Sequence, residues 1–165
     1  MKLLWSLIEA RSRTRNPYLI LLYSKIISFF LFFSGSSIAS AAKFANRPTF
    51  PHGITGVHIS SGASIGKNAV IFQQVTIGSN TLADSKHYGA PSIGDNCYIG
   101  AGAKIIGNVT VGNNVRIGAN AVVVDDIPDH TIVVSQPVRL IHKESLDNHF
   151  YPFDANKVQH ESSSI

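Results

Sequence analysis

Aliphatic residues return every six positions through the middle of this chain: Ile59, Ile65, Ile71 and Ile77, then, after a gap, Ile93, Ile99, Ile105, Val111, Ile117 and Val123. Four residues after most of them sits a small or β-branched residue: Ala63, Ala69, Val75, Cys97, Ala103, Val109, Val115 and Ala121. Glycine directly follows six of the ten, at Gly66, Gly78, Gly94, Gly100, Gly112 and Gly118. An amphipathic helix repeats at three and four residues and a half-buried strand at two. A period of six fits neither. It fits a short strand plus a turn, with one bulky side chain per unit directed to a common axis, and a sustained internal period marks a solenoid. Three such units close a triangular coil, and stacked coils pair as parallel strands about 4.8 Å apart. Glycine, with Asn68, Asn96, Asn108, Asn113 and Asn114, suits turns that need positive φ. An ordinary β-sandwich with coincidental spacing is the alternative, and ten positions in phase make it improbable.

Three segments carry a family resemblance: HGITGVHISSGASIGKNAVIFQQVTIG, PSIGDNCYIGAGAKIIGNVTVGNNVRIGANAVV and IPDHTIVVSQPVRLI. Residues 37–141 resemble the hexapeptide-repeat acyltransferases, in particular the serine acetyltransferase branch and its relatives that acetylate surface polysaccharides. The resemblance implies a mainly β fold, a left-handed parallel β-helix with a short N-terminal helical cap. That handedness is an exception to the right-handed crossover rule and comes from the resemblance, not from the spacing. The expected divisions are an apolar and basic cap over 1–36, the β-helix over 37–142 with a loop inserted at 78–92, and a polar tail over 143–165. A homotrimer moving acetyl from acetyl-CoA to a hydroxyl, with the active site shared between neighbouring subunits, is the implied assembly and chemistry.

Acetyl transfer from a thioester to a hydroxyl calls for a base that titrates near neutrality, and histidine is that residue. No serine elbow is present and Cys97 is the one thiol, which agrees with direct transfer without an acyl-enzyme. The resemblance places His52 at the family's catalytic histidine. It places His87, inside the inserted loop, at a second histidine that helps bind the acceptor or the developing oxyanion, beside a backbone amide near the loop. The family orients its base with an aspartate fifteen residues upstream, where this chain has Ser37. It also has Asp-Arg-His-Pro where this chain has Ser85-Lys86-His87-Tyr88-Gly89-Ala90-Pro91. For acetyl-CoA, the resemblance points to Gly78, Ala101 and Ala119, where a ligand approaches the main chain, and to Arg139 near the nucleotide phosphates. A guanidinium fork suits that grip. Two departures stand beside this: Val124-Asp125 where many relatives have Thr-Lys, and Ser135-Gln136-Pro137-Val138 where many have Gly-Asn-Pro-Ala. Cys97 falls on a small corner position and reads as structural, and His58 should point outward beside Ile59. No metal is expected, because the His-X4-His pair of related β-helical carbonic anhydrases is missing.

Charge is distributed unevenly. Residues 1–50 hold seven Lys or Arg against the single acid Glu9, and the remainder holds seven against nine. A uniformly basic nucleic-acid binder does not look like that, so no nucleic-acid partner is expected. One cysteine excludes an internal disulfide and a four-thiolate zinc site. The apolar run PYLILLYSKIISFFLFF, residues 17–33, falls short of the roughly 20 residues of a spanning helix and has Lys25 in its middle. It reads as one or two helices capping the open end of the prism, since solenoids need such caps. The basic flank of residues 1–35 suits a peripheral contact with anionic lipid, placing a cytoplasmic protein at the inner face of the membrane. True serine acetyltransferases carry a longer helical region that supplies acidic groups for the amino-acid acceptor, and Pro51 stands here where an aspartate usually precedes the histidine. A sugar hydroxyl of surface polysaccharide is therefore the preferred acceptor. L-serine is the alternative, and a catalytically dead scaffold is the rival class.

Overall fold

In the computed structural model, which describes residues 2–135, two helices precede a three-sided coil of very short parallel strands. The first face stacks β1 (Ser37–Ile38), β3 (His58–Ile59), β6 (Thr76–Gly78), β9 (Lys104–Ile106) and β12 (Val122–Val123). The second stacks β2 (Lys43–Phe44), β4 (Ser64–Ile65), β7 (Ser92–Ile93) and β10 (Thr110–Val111), and the third β5 (Val70–Ile71), β8 (Tyr98–Ile99), β11 (Arg116–Ile117) and β13 (Ile132–Val133). Every pairing between these strands is parallel. The six-residue period thus becomes one strand per face.

Register turns the aliphatic positions into ladders. Ile38, Ile59, Ile77, Ile105 and Val123 stack on the first face, and Phe44, Ile65, Ile93, Val111 and Ile127 on the second. Ile71, Ile99, Ile117 and Val133 stack on the third, below Phe50, which follows the Thr49 bridge to Val70. Ile71, Ile77, Ile99, Ile105 and Ile117 are fully buried, as are the small residues Ala63, Ala69 and Ala103 four positions after a ladder residue. Each such isoleucine contributes about 1.5–3 kcal/mol relative to exposure. No buried polar or charged residue interrupts the core among the described residues. The first coil, through Ile38, Phe44 and Phe50, lies upstream of the repeat as read from sequence. Its spacing to the next coil is 21 residues rather than 18, because three extra residues lengthen the turn before Ile59.

Corner chemistry explains the turn residues. Asn46, Asn68, Asn96 and Asn114 form a ladder, each side-chain amide donating to the next carbonyl oxygen at 3.3, 3.1 and 3.3 Å. Asn68, Asn96 and Asn114 hold φ near 56°, a left-handed conformation that asparagine tolerates. Beside them the coils nearly touch: a Cβ on Gly94 would lie 2.7 Å from the carbonyl carbon and oxygen of Gly112. That is why glycine follows the aliphatic residue there. Cys97 is a packed corner residue, its thiol donating to the Gly112 carbonyl at 3.1 Å, and burial pushes its pKa up.

The last coil is pinned by Asp129, whose carboxylate accepts the Asn113 backbone N–H at 2.7 Å. That bond, then the Asn113 side-chain amide, lowers its pKa below the ordinary 3.8. A carboxylate depressed in the folded state stabilises it above its unfolded pKa, and the contribution fades as pH falls through the folded value. Asp129→Asn should therefore weaken the acid sensitivity of the last coil below about pH 3.8, read by amide exchange at Asn113 between pH 5 and pH 2.5. Identical acid profiles for the two proteins would count against this.

The open first coil is covered by α1 (Lys2–Arg13) and α2 (Pro17–Phe33). Asn16 caps α2, its Oδ1 accepting from Tyr18 and Leu19 N–H, with Pro17 in the first turn. Gly35, at φ 61°, ends the helix: its N–H bonds the Phe32 carbonyl and that of Ser36 bonds Leu31, the paired closure that glycine permits. Leu4, Trp5, Ile27 and Leu31 are buried, and Trp5 meets Phe44 edge-on at 5.1 Å. Among the described residues no helix is long and apolar enough to cross a membrane.

Candidate active site

The corner between the third and first faces carries His52. The extra residues fall in the turn around Pro51–Gly56, where Gly53 and Gly56 have φ of 75° and 66°. Ile54 and Val57 dip back into the core, and Ser36 Oγ donates to the Ile54 carbonyl. The turn is thus anchored at both ends while His52 stands exposed at its outer edge.

Two contacts fix the imidazole. Nδ1 lies 2.9 Å from Gln73 Oε1. The ring also meets Phe72 edge-on at 5.2 Å, and Phe72 in turn leans on Tyr98 at 5.0 Å. A glutamine carbonyl oxygen only accepts, so with Gln73 Oε1 as the partner the neutral ring donates from Nδ1 and keeps its lone pair on Nε2. Ser37 does not reach the histidine. It lies on β1, beside His58 in register, and its backbone N–H bonds the Val57 carbonyl. Gln73 was invisible from the sequence, where it is one polar residue among several at turns. The signal that could have found it is its place at the same corner as residue 52, one coil later.

Ala101 and Ala119 lie on the next two rungs of this corner. The Gly102 N–H bonds the Gln73 carbonyl at 3.0 Å and the Asn120 N–H bonds the Ala101 carbonyl at 2.8 Å. A Cβ on Gly100 would sit 2.8 Å from the Ala119 nitrogen, so the main chain is closely stacked here. The structure therefore gathers His52, Ala101 and Ala119 into one column.

Gly78 and His87 belong to the other edge of the first face. Gly78 ends β6 and pairs with Ile106. The inserted loop is closed at its base by paired bonds between Asn80 and Gly89 at 2.8 and 2.9 Å, and Asn80 Nδ2 donates to Ser85 Oγ. It is clipped to the coil by the Asn108 N–H, which bonds the His87 carbonyl at 2.9 Å. His87 is partly buried, with Nε2 3.7 Å from Asp125 Oδ1. Asp125, read from sequence only as a departure, is thus the acid that meets the loop histidine among the described residues. Between the two edges, a cleft of about 160 Å³ on the first face is lined by Ser37, His58, Ser60, Thr76 and Gly78. The buried Ser60 Oγ has no hydrogen-bond partner among the described residues. His58 itself is exposed, as its place beside Ile59 requires.

In one chain, then, His52 and His87 occupy different corners with a strand face between them. Arg139 lies outside the described residues. A cleft of about 670 Å³ between the helices and the first coil contains neither histidine, so the chemistry of the side chains locates the site better than this cavity does. Among the described residues no three His, Cys, Asp or Glu side chains gather where they could hold a metal ion.

Comparison with known proteins agrees with this architecture. The bacterial transferase hexapeptide family (six repeats) matches residues 90–125. A serine acetyltransferase of Staphylococcus epidermidis is 42% identical over 113 residues, 68% of this chain and 52% of the relative. One from Staphylococcus aureus is 39% identical over 115 residues, 70% of this chain and 53% of the relative. Among solved structures, serine acetyltransferase isoform 3 of Entamoeba histolytica in complex with cysteine superposes with a TM-score of 0.63 at 35% identity, covering 76% of this chain and 44% of that one. The soybean serine acetyltransferase apoenzyme gives 0.61 at 34% identity, covering 82% and 53%. The chain spans about half the length of the curated relatives it matches. None of these four names mentions a polysaccharide, so the acceptor preferred from sequence finds no support in them. By its repeat, its parallel three-sided coil and these relatives, the chain is a hexapeptide-repeat protein similar to the serine acetyltransferases.

Proposed function

We propose that this protein is an acetyl-CoA-dependent O-acetyltransferase with His52 as its general base and L-serine as its acceptor. One observation carries the chemistry: Gln73 holds Nδ1 of an exposed histidine, which leaves Nε2 as a proton acceptor at the head of the Ala101 and Ala119 column. The names of the relatives carry the choice of serine. The acceptor hydroxyl gives its proton to His52 Nε2 as its oxygen bonds the thioester carbonyl carbon. The resulting oxyanion collapses, the C–S bond breaks, and the imidazolium returns the proton to the leaving CoA sulfur.

The coil is taken as left-handed, after the family it resembles, and the working unit as a homotrimer. Separation of His52 and His87 on different corners supports that assembly, because a neighbouring subunit can bring its loop edge to this chain's His52 edge. Acetyl-CoA then lies in the groove between two subunits, against Gly78, Ala101 and Ala119, with Arg139 for the phosphates. His87, paired with Asp125, faces the acceptor or the oxyanion. The expected setting is the cytoplasm.

Incubation with labelled acetyl-CoA and either L-serine or hexose-containing acceptors tests the reading. Labelled O-acetylserine supports it. Labelled sugar with no labelled serine transfers the chemistry to a glycan, a second reading favoured by Ser37 and Pro51 standing where the family's acids would be. Saturable acetyl-CoA binding is required by both, and its absence at millimolar concentration leaves only the scaffold.

Gln73 gives a separate prediction. Gln73→Leu should lower kcat about 3–10-fold, the worth of one neutral hydrogen bond, with KM for acetyl-CoA nearly unchanged, and Gln73→Glu should recover activity by restoring an acceptor at Nδ1. Steady-state kinetics of the three proteins decide it. A loss confined to KM would mean that Gln73 touches the substrate instead of orienting the base.

A further inference from the structure

We propose that the outer face of α2 is a docking surface for an anionic lipid bilayer, holding the coil at a membrane surface without crossing it. Helix α2 is apolar apart from Ser24, Lys25 and Ser28, yet only Ile27 and Leu31 are buried against the coil and α1. On the opposite side the residues at helical spacing Tyr18, Leu22, Lys25, Phe29 and Phe33 form one stripe, flanked by Leu21 and Phe32. These apolar side chains are exposed, Tyr18 by 81%, Phe32 by 80%, Phe33 by 74% and Phe29 by 61%. Such a patch on a protein surface marks an interaction site.

Charge decides between lipid and a second copy of the chain. Lys25 sits in the middle of the stripe and is exposed. Packed against an identical helix, it would be desolvated beside another cation with no acid to pair with. Against a bilayer its four-carbon stem lies along the acyl region while the ammonium reaches the phosphates. Arg15, at the join between the helices, is also exposed, whereas Arg13, Lys43 and Arg47 line the cleft between the helices and the first coil, and the cap's single acid, Glu9, is paired with Arg13 at 3.4 Å. Helix α2 has no acid to meet the Lys25 of a second copy, whereas an anionic surface complements it. A tyrosine and a lysine among exposed aromatic and aliphatic side chains suit the boundary between acyl chains and headgroups, each keeping its polar tip toward water. At 17 residues, α2 is suited to lying there rather than to spanning.

The test is co-sedimentation of the full chain with unilamellar vesicles of phosphatidylcholine alone or with a quarter phosphatidylglycerol, together with the solution mass of each protein. The expected result is binding to the phosphatidylglycerol vesicles that weakens in high salt. Lys25→Glu, a change of two charges, should cut binding by about tenfold or more. The triple variant Phe29→Ser, Phe32→Ser, Phe33→Ser should abolish it while keeping the oligomeric mass and acetyl-CoA binding of the parent. Failure of the folded parent to sediment with anionic vesicles overturns the proposal. So does a triple variant that still binds lipid but loses its oligomeric mass, which would assign the face to self-association. Neither readout depends on acetyl transfer, so the inference stands or falls apart from the proposed activity.

Discussion

Replacing His52 by alanine should leave the coil folded and slow the proposed acetyl transfer by about 10²–10⁴, the usual worth of a positioned general base. Folding is spared because His52 is exposed and contributes one hydrogen bond, to Gln73, and one ring contact, to Phe72. The ladders do not involve it. On the proposed function activity should not be spared, because no other histidine occupies that corner among the described residues. Cys97 is buried with a raised pKa, and His87 stands at another corner. The measurement is release of free CoA thiol with the preferred acceptor, beside circular dichroism and solution mass. Turnover within threefold of the parent by a folded His52→Ala protein would falsify the assignment. Rescue by added imidazole would strengthen it, since a small base would be filling the place of the lost ring.

The second large effect is on stability. Ile105→Ala should destabilise the coil by about 2–5 kcal/mol, the range for emptying a fully buried isoleucine site. Ile105 lies between Ile77 and Val123 on the first face and is fully buried. A hole there removes contacts with the rung above and the rung below. Val123→Ala, on the last rung of the same face, removes a smaller side chain with a neighbour on one side, and should cost clearly less. Urea unfolding of the two variants compares them. Equal losses would contradict the picture of stability built rung by rung.

Much of this fold is legible in the residues because the constraint is local and repeated. Ile65 must point inward for the same reason as Ile93 and Val111, and each repetition reinforces the others. The first coil escaped that reading. Three extra residues throw Ile38, Phe44 and Phe50 out of phase with Ile59, and two of the three are aromatic where the rest of the ladder is aliphatic. The site is less legible than the scaffold for a physical reason. His52 is marked by resemblance, but what orients it depends on a contact across 21 residues, and glutamine at a turn carries no label. The pairing of His87 with Asp125 likewise spans most of two coils. Residues 136–165, which include Arg139, contribute sequence but no described structure.

The His52 corner also acts as a ruler. Its graduations are the coils, each advancing about 4.8 Å along the axis, and Gln73, Ala101 and Ala119 mark successive divisions. A ligand laid along this edge is measured in whole divisions, since a partial step would break the ladders behind it. Excising one complete 18-residue turn between His52 and Ala119 would keep every isoleucine stacked and shorten the scale by one mark. The length of this edge can therefore change in whole-coil steps while the core that sets its stability stays the same in kind.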